Sequence, residues 1–244
     1  MPTIAGAGLP GEHHLHEHRS LSGGLARAAV FGISDGLLSN VSLVLGFAGG
    51  GASEHVVRLA GIAGLVAGAF SMASGEYISV SAQNELIVRE LDVERQNLAS
   101  FPEAEHAELA GIFESRGVSP ELAKQVAEDL MREPDQALST HAREELGIDP
   151  RHLNSPLGAA LASFVAFAVG ALLAVVPWFF STGHGATIAS VVIGVIAATI
   201  VGSLIGLFAD RSRVRSALRQ VLFLVIALSA TYAIGKALGV GLAQ

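Results

Sequence analysis

Asp35 stands in FGISDGLLSNVSLVLGFAGG, residues 31–50, a run otherwise apolar enough to cross a bilayer. A carboxylate at mid-bilayer costs about 2.5–3.5 kcal/mol on insertion scales, so such a residue faces a cavity, an ion route or a polar partner. Ser34, Ser39 and Asn40 are the nearest candidates for that partner. In the next apolar run, Met72 and Glu76 are four residues apart in SMASGEY, which places them on one helix face. The hard oxygen of Asp35 and the soft thioether of Met72 together suit a borderline transition metal such as Fe²⁺ better than Mg²⁺ or Ca²⁺, which take oxygen alone. Asp35 is also the group that can exchange a proton for a metal ion. Core packing is the competing role for Met72, and a place at the membrane interface is the competing role for Glu76.

A second set of ligating types lies further along. Glu94 and Asn97 are three residues apart, Glu105 and Glu108 repeat that spacing, and His141 is followed by Glu144 and Glu145 at i+3 and i+4. Each pair lies on one helix face, so three helices can present oxygen and nitrogen ligands to a shared cleft. Carboxylates with one imidazole suit Fe²⁺, Mn²⁺ or Zn²⁺. Solvated glutamate pairs are the competing reading in so acidic a segment. Glu103 to His106 forms a single Glu-x-x-His; ferritin-like di-iron sites need two, with two further glutamates, so this one is incidental and an iron-oxidase function is disfavoured.

The elements that must position these residues are helical. The chain has 244 residues, 51% of them hydrophobic, with a mean hydropathy of +0.52. That is the composition of a polytopic membrane protein. The expectation is an all-α fold with five transmembrane helices and a helical insert between spans two and three. Residues 1–25 form a disordered tail carrying His13, His14, His16 and His18, an accessory metal catcher at most. Residues 26–82 hold the first two spans, 83–155 the insert, and 156–244 the last three spans, near 157–181, 186–209 and 217–240. No breaker follows Glu76, so the second span runs on as one helix into the insert. There, Pro102 to Gly117, a stretch led by Ser119 and Pro120, and Asp135 to Gly147 read as three helices, with Leu122, Val126 and Leu130 as the apolar stripe of the middle one. The pairs Gly32/Gly36, Gly46/Gly50, Gly64/Gly68 and Gly202/Gly206 let helices approach closely, within one subunit in preference to a dimer face.

Charge gives the orientation. Between Gln83 and Ser155 there are 16 acidic against 7 basic residues, while the rest of the chain has 6 against 8. An acidic field of that kind concentrates cations. Arg211, Arg213, Arg215 and Arg219 lie between spans four and five, which the positive-inside rule assigns to the cytoplasm. Alternation then puts the insert and the N-terminus in the cytoplasm, in agreement with Arg19 and Arg27, and the C-terminus outside. The net charge of −7 argues against nucleic-acid binding, and the absence of cysteine excludes disulfides and thiolate sites. The start of the chain lacks a signal-peptide pattern, leaving targeting to the spans. No Ser-His-Asp set or phosphate loop is present, so an enzyme is not expected and no cofactor is called for.

SDGLLSNVSLVLGFAGG, SMASGEYISVSAQNE and AREELGIDP, with the acidic insert between spans two and three, resemble the vacuolar iron transporter family, including its bacterial members. The resemblance runs from about Leu25 to the C-terminus. It implies a homodimer of five-span subunits that moves Fe²⁺, and often Mn²⁺, out of the cytoplasm in exchange for protons. It implies that Asp35 and Met72 belong to an intramembrane ion path and that the insert is a cytoplasmic metal-binding domain. Glu94, Glu105, Glu108 and one of Glu144 and Glu145 match the family's ligand glutamates. Asn97 replaces an expected glutamate, and His141 with Ala142 replaces a methionine pair found in some members; His141 can still ligate, and Ala142 cannot. The composition leans toward a bacterial cytoplasmic membrane. The competing function is a membrane-anchored iron buffer or sensor without transport, for which an intramembrane Asp35 has no use.

Overall fold

The computed structural model describes residues 24–150 and 153–242, which form nine α-helices and no strand among the described residues. The N-terminal histidines and Arg19 lie outside them. The helices are α1 (Gly24–Gly49), α2 (Glu54–Ser100), α3 (Pro102–Ser115), α4 (Pro120–Leu130), α5 (Pro134–Glu144), α6 (Pro156–Val175), α7 (Pro177–Phe180), α8 (Gly183–Phe208) and α9 (Arg213–Leu242). Five segments are long and apolar enough to cross a membrane: α1, α2, α6 with α7, α8 and α9. The chain is a multi-pass membrane protein.

The 47 residues of α2 make one unbroken helix. At 1.5 Å per residue it is about 70 Å long, more than twice a hydrocarbon core of about 30 Å. Its first half is apolar enough to cross a bilayer, and the helix also packs against α3 and α5. Proline and glycine set the other boundaries. Pro102, Pro120 and Pro134 open α3, α4 and α5, and Gly117 and Gly147 take positive φ just beyond α3 and α5. Pro177 interrupts the third span three residues before its end, because it has no amide hydrogen to continue the ladder. Ser155 caps α6, its Oγ accepting from the Gly158 amide at 3.1 Å.

Inside the bundle α1 is central, packed against α2, α6, α8 and α9. Leu37, Val41, Ala174, Ala198 and Leu224 form the fully buried core around it. Glycines set how closely α1 and α6 approach: a Cβ on Gly32 would lie 2.8 Å from the Ser163 carbonyl oxygen, and one on Gly36 would lie 2.9 Å from Phe167 Cα. The other three pairs are also used within the subunit. Gly46 and Gly50 meet Gly235 and Gly239 of α9, Gly64 and Gly68 accept Asn40 and the Phe167 ring, and Gly202 and Gly206 meet the start of α9.

In the insert, α4 departs from its expected stripe. Ala123 and Ala127 are the residues buried against Leu109 and Ala110 of α3, with Leu130 packed alongside, while Leu122 is exposed. Two alanines allow the axes to come close, and the helix turns its small face inward.

Candidate functional site

Three insert residues converge where α2, α3 and α5 meet. Glu94, Glu105 and His141 are all buried, and one ligand atom from each lies within 4.8 Å of the others. His141 Nδ1 is 3.0 Å from Glu94 Oε1, 3.7 Å from Glu105 Oε2 and 3.8 Å from Glu145 Oε2. The close approach of His141 Nδ1 and Glu94 Oε1 lacks hydrogen-bond geometry, so neither atom has a hydrogen-bond partner, and His141 Nε2 has none either. Buried polar atoms without partners are costly, and a group of acceptors aimed at one point is relieved by a cation. Burial, and then the negative charges of Glu145, Glu105 and Glu108, push the Glu94 carboxyl up to about 7. Glu105 is raised by burial and by Glu108 and Glu145, against a lowering by His141. Two carboxylates and an imidazole are a donor set for Fe²⁺, Mn²⁺ or Zn²⁺.

The remaining candidates of the insert divide. Glu145 stands beside the cluster, whereas Glu144 is ion-paired with Arg116. Of those two adjacent glutamates, the structure therefore brings Glu145 to the site. Glu108 is exposed on the rim, close enough for its charge to raise both neighbouring carboxyls. Asn97 is half-buried outside the converging group; its backbone oxygen accepts the Phe101 amide at the end of α2. Glu103 and His106 are not drawn in, and a ring nitrogen of His106 instead lies 3.1 Å from the Lys124 carbonyl oxygen.

Asp35, Met72 and Glu76 line one groove of about 540 Å³ between α1 and α2. Glu76 and Arg27 form its end nearer the insert, an ion pair at 3.5 Å in which Glu76 is largely covered and Arg27 is open. Asp35, eight residues beyond Arg27, is about 12 Å deeper along α1. Ser39 does not solvate its carboxylate: its hydroxyl donates to the Asp35 backbone oxygen at 2.6 Å. Asn40 does not either, since its amide is used elsewhere. No hydrogen bond reaches the Asp35 carboxylate among the described residues. Met72 both packs against Phe167 and Ala171 and lines the groove, so core packing and exposure to an ion are compatible. Sequence reasoning did not find Arg27 as the partner of Glu76 or Arg116 as the partner of Glu144. Neither pair has a short spacing to reveal it.

A five-span helical membrane protein with a buried cluster of two glutamates and a histidine, and a carboxylate-bearing groove between its first two spans, has the parts of a cation-handling protein. The chain belongs to the VIT family, whose profile matches residues 26–236. It is 31% identical over 227 residues to a protein named vacuolar iron transporter 1 from Eucalyptus grandis, covering 93% of this chain and 91% of that one. A protein of the same name from Arabidopsis thaliana is 31% identical over 92% of this chain and 90% of its own length. The rice protein of that name is 29% identical over 97% of this chain and 95% of its own. These are the names of transporters, not of enzymes.

Proposed function

We propose that this protein transports Fe²⁺, and Mn²⁺ with it, out of the cytoplasm in exchange for protons. The observation that carries the reading is the groove that Asp35, Met72 and Glu76 line together, in a chain whose relatives are named iron transporters. Glu94, Glu105, His141 and Glu145 collect the ion from solution, with Glu108 adding negative charge at the rim. Asp35 takes the ion in the bilayer and releases it when protonated from the far side. Met72 supplies the soft ligand that disfavours Mg²⁺ and Ca²⁺.

In this reading the insert and the arginines at the α8–α9 turn face the cytoplasm, as five alternating spans and the positive-inside rule require. The working unit in this reading is a homodimer: the groove is open along one side, where Phe31 of α1 is exposed, and a second copy closes it. The test is Fe²⁺ uptake into proteoliposomes under an imposed pH gradient. Wild type should accumulate iron and Asp35→Ala should not. Binding of iron by both proteins with uptake by neither would leave a membrane-anchored buffer.

A further inference from the structure

Asn40 lies five residues beyond Asp35, about 7.5 Å further along α1, on the same groove. It is only 2% exposed. Its Nδ2 donates to the Gly61 carbonyl oxygen at 3.1 Å and to the Ala171 carbonyl oxygen at 3.0 Å, tying α1 to α2 and α6. Both amide hydrogens are thereby committed, and the amide has one orientation. Reversing it would press Oδ1 against two carbonyl oxygens and deprive both of a donor. Oδ1 is left on the Gly64 side, where a Cβ on that glycine would lie 2.7 Å from it. No donor reaches Oδ1 among the described residues.

A tie between helices needs only the donor half of such a residue. Ser190 illustrates the simpler device: it is buried and donates to the Ala174 carbonyl oxygen at 2.8 Å, and it lines none of this groove. Asn40 differs in holding a rigid, neutral, unpartnered oxygen on the wall that also carries Asp35 and Met72. An amide oxygen binds hard divalent cations without having to lose a proton, so it suits a position past the proton-exchanging carboxylate.

We propose that Asn40 Oδ1 is an inner metal ligand, taking the cation after Asp35 and favouring Mn²⁺ relative to the softer preference set by Met72. The proposal rests on the transport reading above. Gly64 is part of the site, because its missing side chain leaves Oδ1 uncovered.

The test measures initial rates of Mn²⁺ and Fe²⁺ uptake in proteoliposomes for wild type, Asn40→Ala and Gly64→Ala, with thermal stability recorded alongside. Loss of a ligand should lower the Mn²⁺ to Fe²⁺ rate ratio about tenfold or more in Asn40→Ala, given that even outer-shell changes cost 10–100-fold in metal affinity. Gly64→Ala should shift the ratio the same way: its methyl meets both Leu43 Cδ2 and Asn40 Oδ1 closer than van der Waals contact, so Oδ1 is covered or displaced from the groove. A lowered melting temperature with an unchanged ratio in both variants would make Asn40 a structural tie and overturn the proposal. Should Asn40→Ala fail to assemble, the ratio in Gly64→Ala decides. Wild type that moves neither metal overturns the transport reading itself, a different result from wild type and variants that move both in one shared ratio.

Discussion

In the insert, Glu94, Glu105 and His141 crowd together with Glu145 and Glu108 close by; in the groove between α1 and α2, Asp35 is the sole acid of α1, and its neighbours Ser39, Asn40 and Met72 are neutral. Both regions have metal-ligating groups, yet they handle charge in opposite ways. The insert gathers like charges in a buried cluster, and burial first, then repulsion from Glu145, Glu105 and Glu108, raises the Glu94 carboxyl. The groove lies where each extra charge is penalised, so it holds few, and the one at its mouth, Glu76, is countered by Arg27. A collecting site needs charge to attract a cation. A conducting path needs enough to admit it and little enough to let it go.

The comparison breaks most visibly at Asp35. Asp35→Asn removes the ionisable group at nearly constant volume, and kcat for iron uptake should fall by about 100-fold or more, while iron binding by the solubilised full-length protein keeps its affinity for the insert site. Loss of both would mean that the two regions are not separable. His141→Ala should do the converse. Removing the imidazole from a buried cluster should weaken metal binding by about 10–100-fold and raise KM, leaving kcat within about threefold; a large fall in kcat would place His141 on the path itself.

Acidity sharpens the contrast further. In the metal-free native state Glu94 stays protonated up to about 7, against 4.5 for an unperturbed glutamate. The native state thus holds a proton that the unfolded chain has lost. That contribution to stability is full below about 4.5, shrinks as pH rises to about 7, and is gone above it. Metal displaces the same proton, so its affinity for the insert should rise with pH by up to about tenfold per unit below 7 and flatten beyond. Calorimetric titration at pH 6, 7 and 8 checks this, and an affinity indifferent to pH would contradict it. The smallest effect is expected at Arg116. Arg116→Ala frees the partly exposed Glu144, and since pairs of this kind contribute at most about 1 kcal/mol, metal affinity should change by less than about fivefold. A tenfold change would bring Glu144 into the site beside Glu145.

Much of this was legible from residue order. The continuous α2 follows from the absence of any breaker between Gly75 and Pro102, and the closures at Gly117 and Gly147 follow from glycine's tolerance of positive φ. The candidates at i+3 and i+4 fall on or next to α2, α3 and α5, the helices whose Glu94, Glu105 and His141 converge. What spacing could not do was choose among them. Glu144, the last residue of α5, and Glu145, its helical C-cap, point about 100° apart, and are sorted only by whether Arg116, 28 residues before Glu144, comes within reach. The stripe of α4 failed for a related reason: hydrophobicity picked Leu122, while the distance of closest approach to α3 picked Ala123 and Ala127.

The sequence by itself determined the five apolar spans, the acidic insert between the second and third, the helix boundaries and the residue types able to ligate a cation. These depend on local quantities: hydropathy over a helix length, backbone restrictions at proline and glycine, and charge density. Only the tertiary structure decided that Glu94, Glu105 and His141 meet, that Arg27 reaches Glu76, and that Asn40 commits its donors to α2 and α6 while leaving its oxygen on the groove. Each of those outcomes depends on where helices far apart in sequence cross. That geometry is set by glycines and alanines packing backbone against backbone, which a pattern of residue types along one helix does not contain.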